Sequence, residues 1–365
     1  MRFCCGHAQS VLFCSTNHHA TNEPPRKKTM KHNMNEWIAG LVSGKKRAAL
    51  PIVTSPGIPL IDAAPVDVFQ SGQLQFRAIH ALAGRLPDMA AALTMMDLSV
   101  EAQAFGAPIQ FSELENPTVS AAIVHDRSEI DCLAVPMVGT ARTAETLLAA
   151  RLCAEAITDR PTLGGLIGPF SLAGRLLDMS TMMLMTATEP ETVHALLEKA
   201  TEFLIEYAVA FKATGCHGLI MAEPAAGLVA PKMCRTFSAD YIQRVVDAVK
   251  DDSFAFVLHN CGKTEKMAAE MLSTGCSAIH VGNAVDVRTI LAQVPLSIPV
   301  MGNLDPTVLF RLGTPDEMHR ATTALLEATS DDPHFVLSSG CDIPPGTPLD
   351  NVLAFFDALA DFNSR

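Results

Sequence analysis

Aromatic residues are scarce in this chain. One Trp, two Tyr and 17 Phe make up 5% of 365 residues. The formal charge is −12. Together these exclude a nucleic-acid binder, which needs stacking platforms and a basic surface. No apolar run reaches the roughly 18 residues of a membrane span. Val11-Leu12-Phe13 is too short for the core of a signal peptide. No Cys-x-x-Cys pair occurs among the ten cysteines, which argues against a structural zinc knot. Nor are they spaced as a small disulfide framework, so a reducing, cytoplasmic compartment is expected. Charged residues are only 18% and hydrophobic residues 48%, enough for a large core and unlike a disordered chain, a collagen or a coiled coil.

What charge there is lies unevenly. Residues 1–33 carry Arg2, Arg26, Lys27, Lys28 and Lys31 against Glu23, about +4, which leaves about −16 for the rest. This segment also holds Cys4, Cys5, Cys14, His7, His18 and His19. It reads either as a metal-binding tail or as a disordered extension without helical or strand period, and the second is the expectation. The working domain is expected over 34–365.

From Met34 onward, short apolar runs alternate with longer amphipathic stretches. Eight runs read as strands: Leu50–Thr54, Leu93–Asp97, Leu163–Gly168, Gly218–Glu223, Phe254–His259, Ala278–Gly282, Val300–Leu304 and His334–Ser338. They are rich in Val, Ile, Leu and Met and mostly do not alternate, as strands buried on both faces do. Helices are expected over Val66–Leu86, Ala141–Ala156, Pro190–Ala213, Ala239–Lys250, Thr264–Ser273, Asp316–Thr329 and Leu349–Leu359. Thr314-Pro315-Asp316-Glu317 has the form of an N-terminal cap, and Gly215 and Gly275 the form of helix stops. The alternation predicts an α/β fold, a single (β/α)8 TIM barrel. An open doubly wound sheet is disfavoured, because no Gly-x-Gly-x-x-Gly follows the first strand. Between the second and third strands, Ala107–Phe111 and Pro117–Val124 predict an inserted hairpin.

The sharpest chemical feature is Phe254-Ala-Phe-Val-Leu-His259-Asn260-Cys261-Gly262. Residues two apart on a strand point the same way, so His259 and Cys261 aim at one point beyond its C-terminal end. The eighth strand ends in Ser338-Ser339-Gly340-Cys341-Asp342, which brings Cys341 to the same mouth. A Cys2His set suits Zn2+, and three protein ligands with an open position is the catalytic pattern. Taken singly, each of these residues also reads as a small buried hydrophobe or a hydrogen-bonded structural histidine. Glu223, at the end of the fourth strand, is expected as a fourth metal ligand or as a partner of His259. Its plainer reading is a cap on the next element.

Leu258-His259-Asn260-Cys261-Gly262, followed by Ser339-Gly340-Cys341-Asp342-Ile343-Pro344-Pro345-Gly346-Thr347-Pro348, resembles the uroporphyrinogen decarboxylase superfamily, and within it the zinc-dependent methylcobamide:coenzyme M methyltransferase branch. Met96-Asp97-Leu98, Glu101-Ala102, Gly168-Pro169-Phe170 and Met301-Gly302-Asn303-Leu304-Asp305-Pro306 are similar too, and the resemblance spans about residues 35–363. It implies zinc held by His259, Cys261 and Cys341. It also implies a methyl group taken from a methyl corrinoid on a partner corrinoid protein, and a small thiol acceptor such as coenzyme M. Asp97 occupies the acidic position that decarboxylases use for substrate and is a candidate catalytic residue. Gly302, Asn303, Asp305 and Asn283 are candidates on the cofactor-facing side, although turn chemistry alone also explains Asn and Asp there. The alternative is a metal-free decarboxylase of the same fold. It is disfavoured because Pro51–Pro59 lacks the arginines that a polycarboxylate substrate needs.

Overall fold

The structure, a computed structural model, describes residues 32–365. The sulfur- and histidine-bearing tail expected to be disordered lies outside the described residues, apart from its last two. Asn33 caps the first helix, Met34–Ser43, by accepting from the Asn35 and Glu36 amides.

Nine strands follow: β1 Ala92–Leu93, β2 Ile109–Gln110, β3 Thr118–Val119, β4 Thr162–Ile167, β5 Gly218–Ala222, β6 Ala255–Asn260, β7 Ala278–Val281, β8 Val300–Leu304 and β9 Phe335–Ser339. Seven form one parallel sheet in the order β1-β4-β5-β6-β7-β8-β9. Almost every residue in it is buried, as helices on the outer face and a packed interior require. The sheet curls until its two edges meet at Ala49, which bridges both Met89 and Leu337. The barrel-type architecture is therefore the one expected, with one amendment. Leu50–Thr54 is not an eighth strand. Pro51 has no amide to donate, and the Ile52 amide goes to the Ser339 hydroxyl at 3.0 Å. Pro56 and Pro59 then carry the chain into a 3-10 turn over Ser55–Ile61. The second strand is also shorter than expected, because the Thr94 hydroxyl accepts from the Gly165 amide in place of a carbonyl.

The inserted hairpin is present. β2 and β3 pair antiparallel with Ile109 opposite Val119, between β1 and β4. Pro190–Ala213 is helical over its full expected span. The stretch 66–86 is two helices, Pro65–Gln70 and Gly72–Arg85, divided at Ser71, whose hydroxyl caps the second. Thr314 and Glu317 form a reciprocal capping box, and Gly215 and Gly275 take the left-handed conformation expected of helix stops. Two helices directly after β4, Pro169–Leu177 and Met179–Thr188, were not foreseen. The first is buried almost all round and so lacks the one-sided pattern of a surface helix.

Candidate metal centre

The C-terminal ends of the parallel strands surround the mouth of the barrel. β6 delivers His259, and Asn260 turns the chain by donating to the Glu223 carbonyl at 2.7 Å and accepting from the Gly262 amide at 2.8 Å. Cys261 follows immediately, and Cys341 stands two residues beyond β9. The packing is close enough to require glycine twice. A Cβ on Gly282 would lie 2.5 Å from the Cys261 Cα, and one on Gly340 would lie 2.6 Å from the Asn283 amide nitrogen. The ligand atoms of His259, Cys261 and Cys341 fall within 4.8 Å of one another, the one such group of three among the described residues. Neither cysteine is in a disulfide. A hydrogen bond from Cys341 holds the Cys261 thiol well below the ordinary cysteine range, so it carries the negative charge of the pair.

A buried chain of hydrogen bonds decides which nitrogen of His259 is available. The Ser338 hydroxyl donates to the Leu50 carbonyl at 2.7 Å. It must therefore accept from His280 Nε2, also at 2.7 Å. His280 is fully buried, which pushes its pKa well below the usual histidine value and keeps it neutral. With its proton on Nε2, its Nδ1 accepts from His259 Nδ1–H at 2.7 Å. That leaves His259 Nε2 as a bare lone pair, and this atom is buried without a hydrogen-bond partner. An orphaned imidazole nitrogen beside one thiolate and one thiol fits a thiophilic divalent ion such as zinc.

Glu223 does not join this group. Its carboxylate accepts from the Phe170 and Ser171 amides at 3.0 and 2.7 Å and from the Ser171 hydroxyl. It sits on the N-terminus of the helix Pro169–Leu177, an earlier element than the one after β5 that its plainer reading had it cap. Burial nevertheless raises its pKa to about 7. Asp97 is buried in an ion pair with Arg142 and also accepts from the Ser99 amide and hydroxyl. Asp305 accepts from the Thr307 and Val308 amides with one oxygen and from Asn283 with the other at 2.7 Å. Asn303 donates to the Gly282 and Val285 carbonyls, both at 2.8 Å. A Cβ on Gly302 would lie 2.9 Å from the Val281 carbonyl. This run braces the β7 and β8 ends of the mouth.

Several mouth residues escaped the sequence reading. Asp342, next to Cys341, is pushed up to about 7 by burial. It accepts from Asn116 of the hairpin loop at 2.9 Å and leaves its other oxygen unpartnered. Glu101 is likewise raised to about 7, with one oxygen on the Ile167 amide and one on nothing. His280 carries a local signal, a histidine inside an apolar strand. The rest carry no local signal, because their partners lie 66 to 226 residues away.

This geometry agrees with relationships seen in sequence. The chain belongs to the uroporphyrinogen decarboxylase (URO-D) family, whose model matches residues 74–362. It is 28% identical over 326 residues to a methylcobamide:CoM methyltransferase of Methanosarcina mazei, covering 86% of this chain and 94% of that one. It is equally 28% identical over 284 residues to a uroporphyrinogen decarboxylase of Anaeromyxobacter dehalogenans, covering 74% and 80%. A solved methyltransferase from Methanosarcina mazei shares its fold, with a TM-score of 0.80, 23% identity, and coverage of 92% of this chain and 99% of that one. Among the described residues no helix is long and apolar enough to cross a membrane.

Proposed function

We propose that this chain is a zinc-dependent methyltransferase that moves a methyl group from a methyl corrinoid, carried by a partner corrinoid protein, to a small thiol such as coenzyme M. The observation that carries this reading is the convergence of His259, Cys261 and Cys341 with a bare, buried His259 Nε2. Similarity to a methylcobamide:CoM methyltransferase over most of both chains supports it.

With both thiols deprotonated, Cys261 and Cys341 would supply two negative charges and neutral His259 none, which together match a divalent cation. Zinc held by these three residues would lower the pKa of an acceptor thiol and so supply a thiolate nucleophile near neutral pH. The acceptor sulfur would take the methyl carbon of the donor substrate, with the electron pair of the broken Co–C bond left on the donor's cobalt as Co(I). The Ser338–His280 chain holds the His259 ring in one tautomer throughout. The rim built by Asn283, Gly302, Asn303 and Asp305 is the wall assigned to the corrinoid. Asp97, paired with Arg142, whose guanidinium lies over the Phe111 ring beside the hairpin, holds that side of the mouth in register. Much of the rate comes from aligning two reactants at one mouth. The decarboxylase alternative finds less support, since its acidic residue is occupied and Pro51–Pro59 offers no cation.

Elemental analysis of protein purified without a chelating tag tests the reading. About one zinc per chain is expected, with thiol methylation by methylcobalamin. A zinc-free protein after anaerobic reduction and re-addition, or methyl transfer that persists without zinc, overturns it.

A further inference from the structure

The cysteines among the described residues fall into two kinds. Cys153, Cys216, Cys234 and Cys276 are buried. Burial pushes the first three thiols up to about 12, 11 and 12 and raises the fourth as well, so all four stay protonated and out of reach of solutes. Cys261 and Cys341 differ in both respects. Each is half-buried at the open mouth, neither is in a disulfide, and Cys341 donates a hydrogen bond to the Cys261 sulfur.

The backbone itself holds these two sulfurs together. Cys261 leaves β6 in a turn pinned by Asn260. That turn packs against the one after β5 so closely that a Cβ on Gly262 would lie 2.8 Å from the Gly227 Cα. Cys341 follows Gly340, whose amide donates to the Leu304 carbonyl of β8 at 2.6 Å. The two sulfurs and a His259 nitrogen fall within 4.8 Å of one another. An S–S bond is about 2 Å long, so two hydrogen-bonded sulfurs are one short approach from forming it.

We propose that Cys261 and Cys341 form a reversible disulfide, so that the metal centre is also a redox switch, opened by a peroxide and reset by a thiol reductant. The loss of metal rests on the zinc reading, but the disulfide does not. The deprotonated Cys261 sulfur attacks one oxygen of hydrogen peroxide. The O–O bond breaks, hydroxide leaves, and Cys261 becomes a sulfenic acid. The Cys341 sulfur then attacks the Cys261 sulfur. The S–S bond forms, the S–O bond breaks, and the departing hydroxyl leaves as water with the Cys341 proton. Two electrons pass from the sulfurs to the peroxide. The disulfide offers no thiolate, which leaves His259 Nε2 as one donor where there were three. A reducing dithiol reverses the step by two exchanges and ends as its own disulfide.

In the test, the full chain is reduced, loaded with zinc and treated with hydrogen peroxide, in parallel with protein stripped of metal by a chelator. Tryptic mapping without reductant reads the disulfide, as residues 251–263 joined to residues 321–365. A chromogenic chelator reads the zinc released. The joined peptides are expected from both samples, more slowly from the zinc-loaded one, with zinc released in proportion to them. Dithiothreitol is expected to restore the free thiols, zinc uptake and methyl transfer from methylcobalamin. Cys341→Ser separates the switch from general damage. It is expected to give no joined peptides and, in their place, a Cys261 sulfenic acid trapped by dimedone. No joined peptides from wild type overturns the proposal. So does zinc lost while both cysteines stay reduced, or pass to sulfinic acids that dithiothreitol does not restore. Joined peptides from a protein that takes up no zinc in its reduced state refute the zinc reading but leave the disulfide standing.

Discussion

The two ends of the barrel treat their charges in opposite ways. At the N-terminal end, cations close the structure. Arg47 donates to the Thr329 and Ser330 carbonyls at 2.7 and 2.9 Å, Arg160 to the Leu86 and Met89 carbonyls at 2.6 and 3.2 Å, and Lys212 to the Val249 carbonyl at 2.7 Å. Asp251, paired with Lys212, is held down to about 2. At the mouth, Glu101, Glu223 and Asp342 are all raised to about 7 by burial, and His259 Nε2, Glu101 and Asp342 keep unpartnered atoms. These cations of one end are spent on closing contacts, whereas three groups at the mouth keep unpartnered atoms. Arg47 closes this end from a run of three cations, Lys45-Lys46-Arg47.

Five variants sharpen or break this contrast. Cys261→Ala is expected to have the largest effect. Zinc content falls from about one per chain to near zero and methyl transfer by more than 100-fold, beyond the usual loss from an outer partner, while circular dichroism shows a folded barrel. Normal transfer by a metal-free variant would sink the mechanism. His280→Phe keeps the ring volume but strands the His259 Nδ1–H, and Ser338→Ala releases His280. Each is expected to weaken zinc binding about 10–100-fold in a chelator competition. Unchanged affinity would show that the buried chain does not orient His259.

Arg160→Ala acts at the closed end. It is expected to cost about 2 kcal/mol in urea unfolding, from charged hydrogen bonds left unmade, with zinc affinity unchanged. Glu101→Gln has the smallest effect and turns on pH. The folded-state pKa of Glu101, about 7, lies above its ordinary 4.5. The folded state therefore holds the proton more tightly, and stability falls as pH rises from about 4.5 to 7. The Gln variant removes that fall and is about 1 kcal/mol more stable than wild type at pH 8, since it no longer buries a charge. Asp251 works with the opposite sign, because its depressed pKa gives stability that is lost as pH falls toward 2. A Glu101→Gln profile parallel to wild type between pH 5 and 8 would disprove the unpaired-acid view of the mouth.

The candidate metal donors were legible in sequence because strand periodicity places them. His259 and Cys261 share a direction by being two apart, and Cys341 follows the last apolar run. Local physics sufficed for the strands from β4 to β9, which lie within one residue of their expected bounds, and for the caps at Thr314, Gly215 and Gly275. It failed where side chains replace the ladder, at Pro51 and Thr94, and where a helix is buried on all sides, as at 169–177. Glu223 shows the same limit, because a strand-end acid looks alike whether it faces a metal or a helix N-terminus.

By itself, the sequence determined the alternation of buried strands and helices, and with it the end of the barrel at which His259, Cys261 and Cys341 emerge. Only the tertiary structure decided which ring nitrogen of His259 is bare and that Glu223 caps a helix. The physical reason is range. Periodicity and capping act over a few residues, whereas a hydrogen-bond partner or a cavity wall is supplied by chain tens to hundreds of residues away.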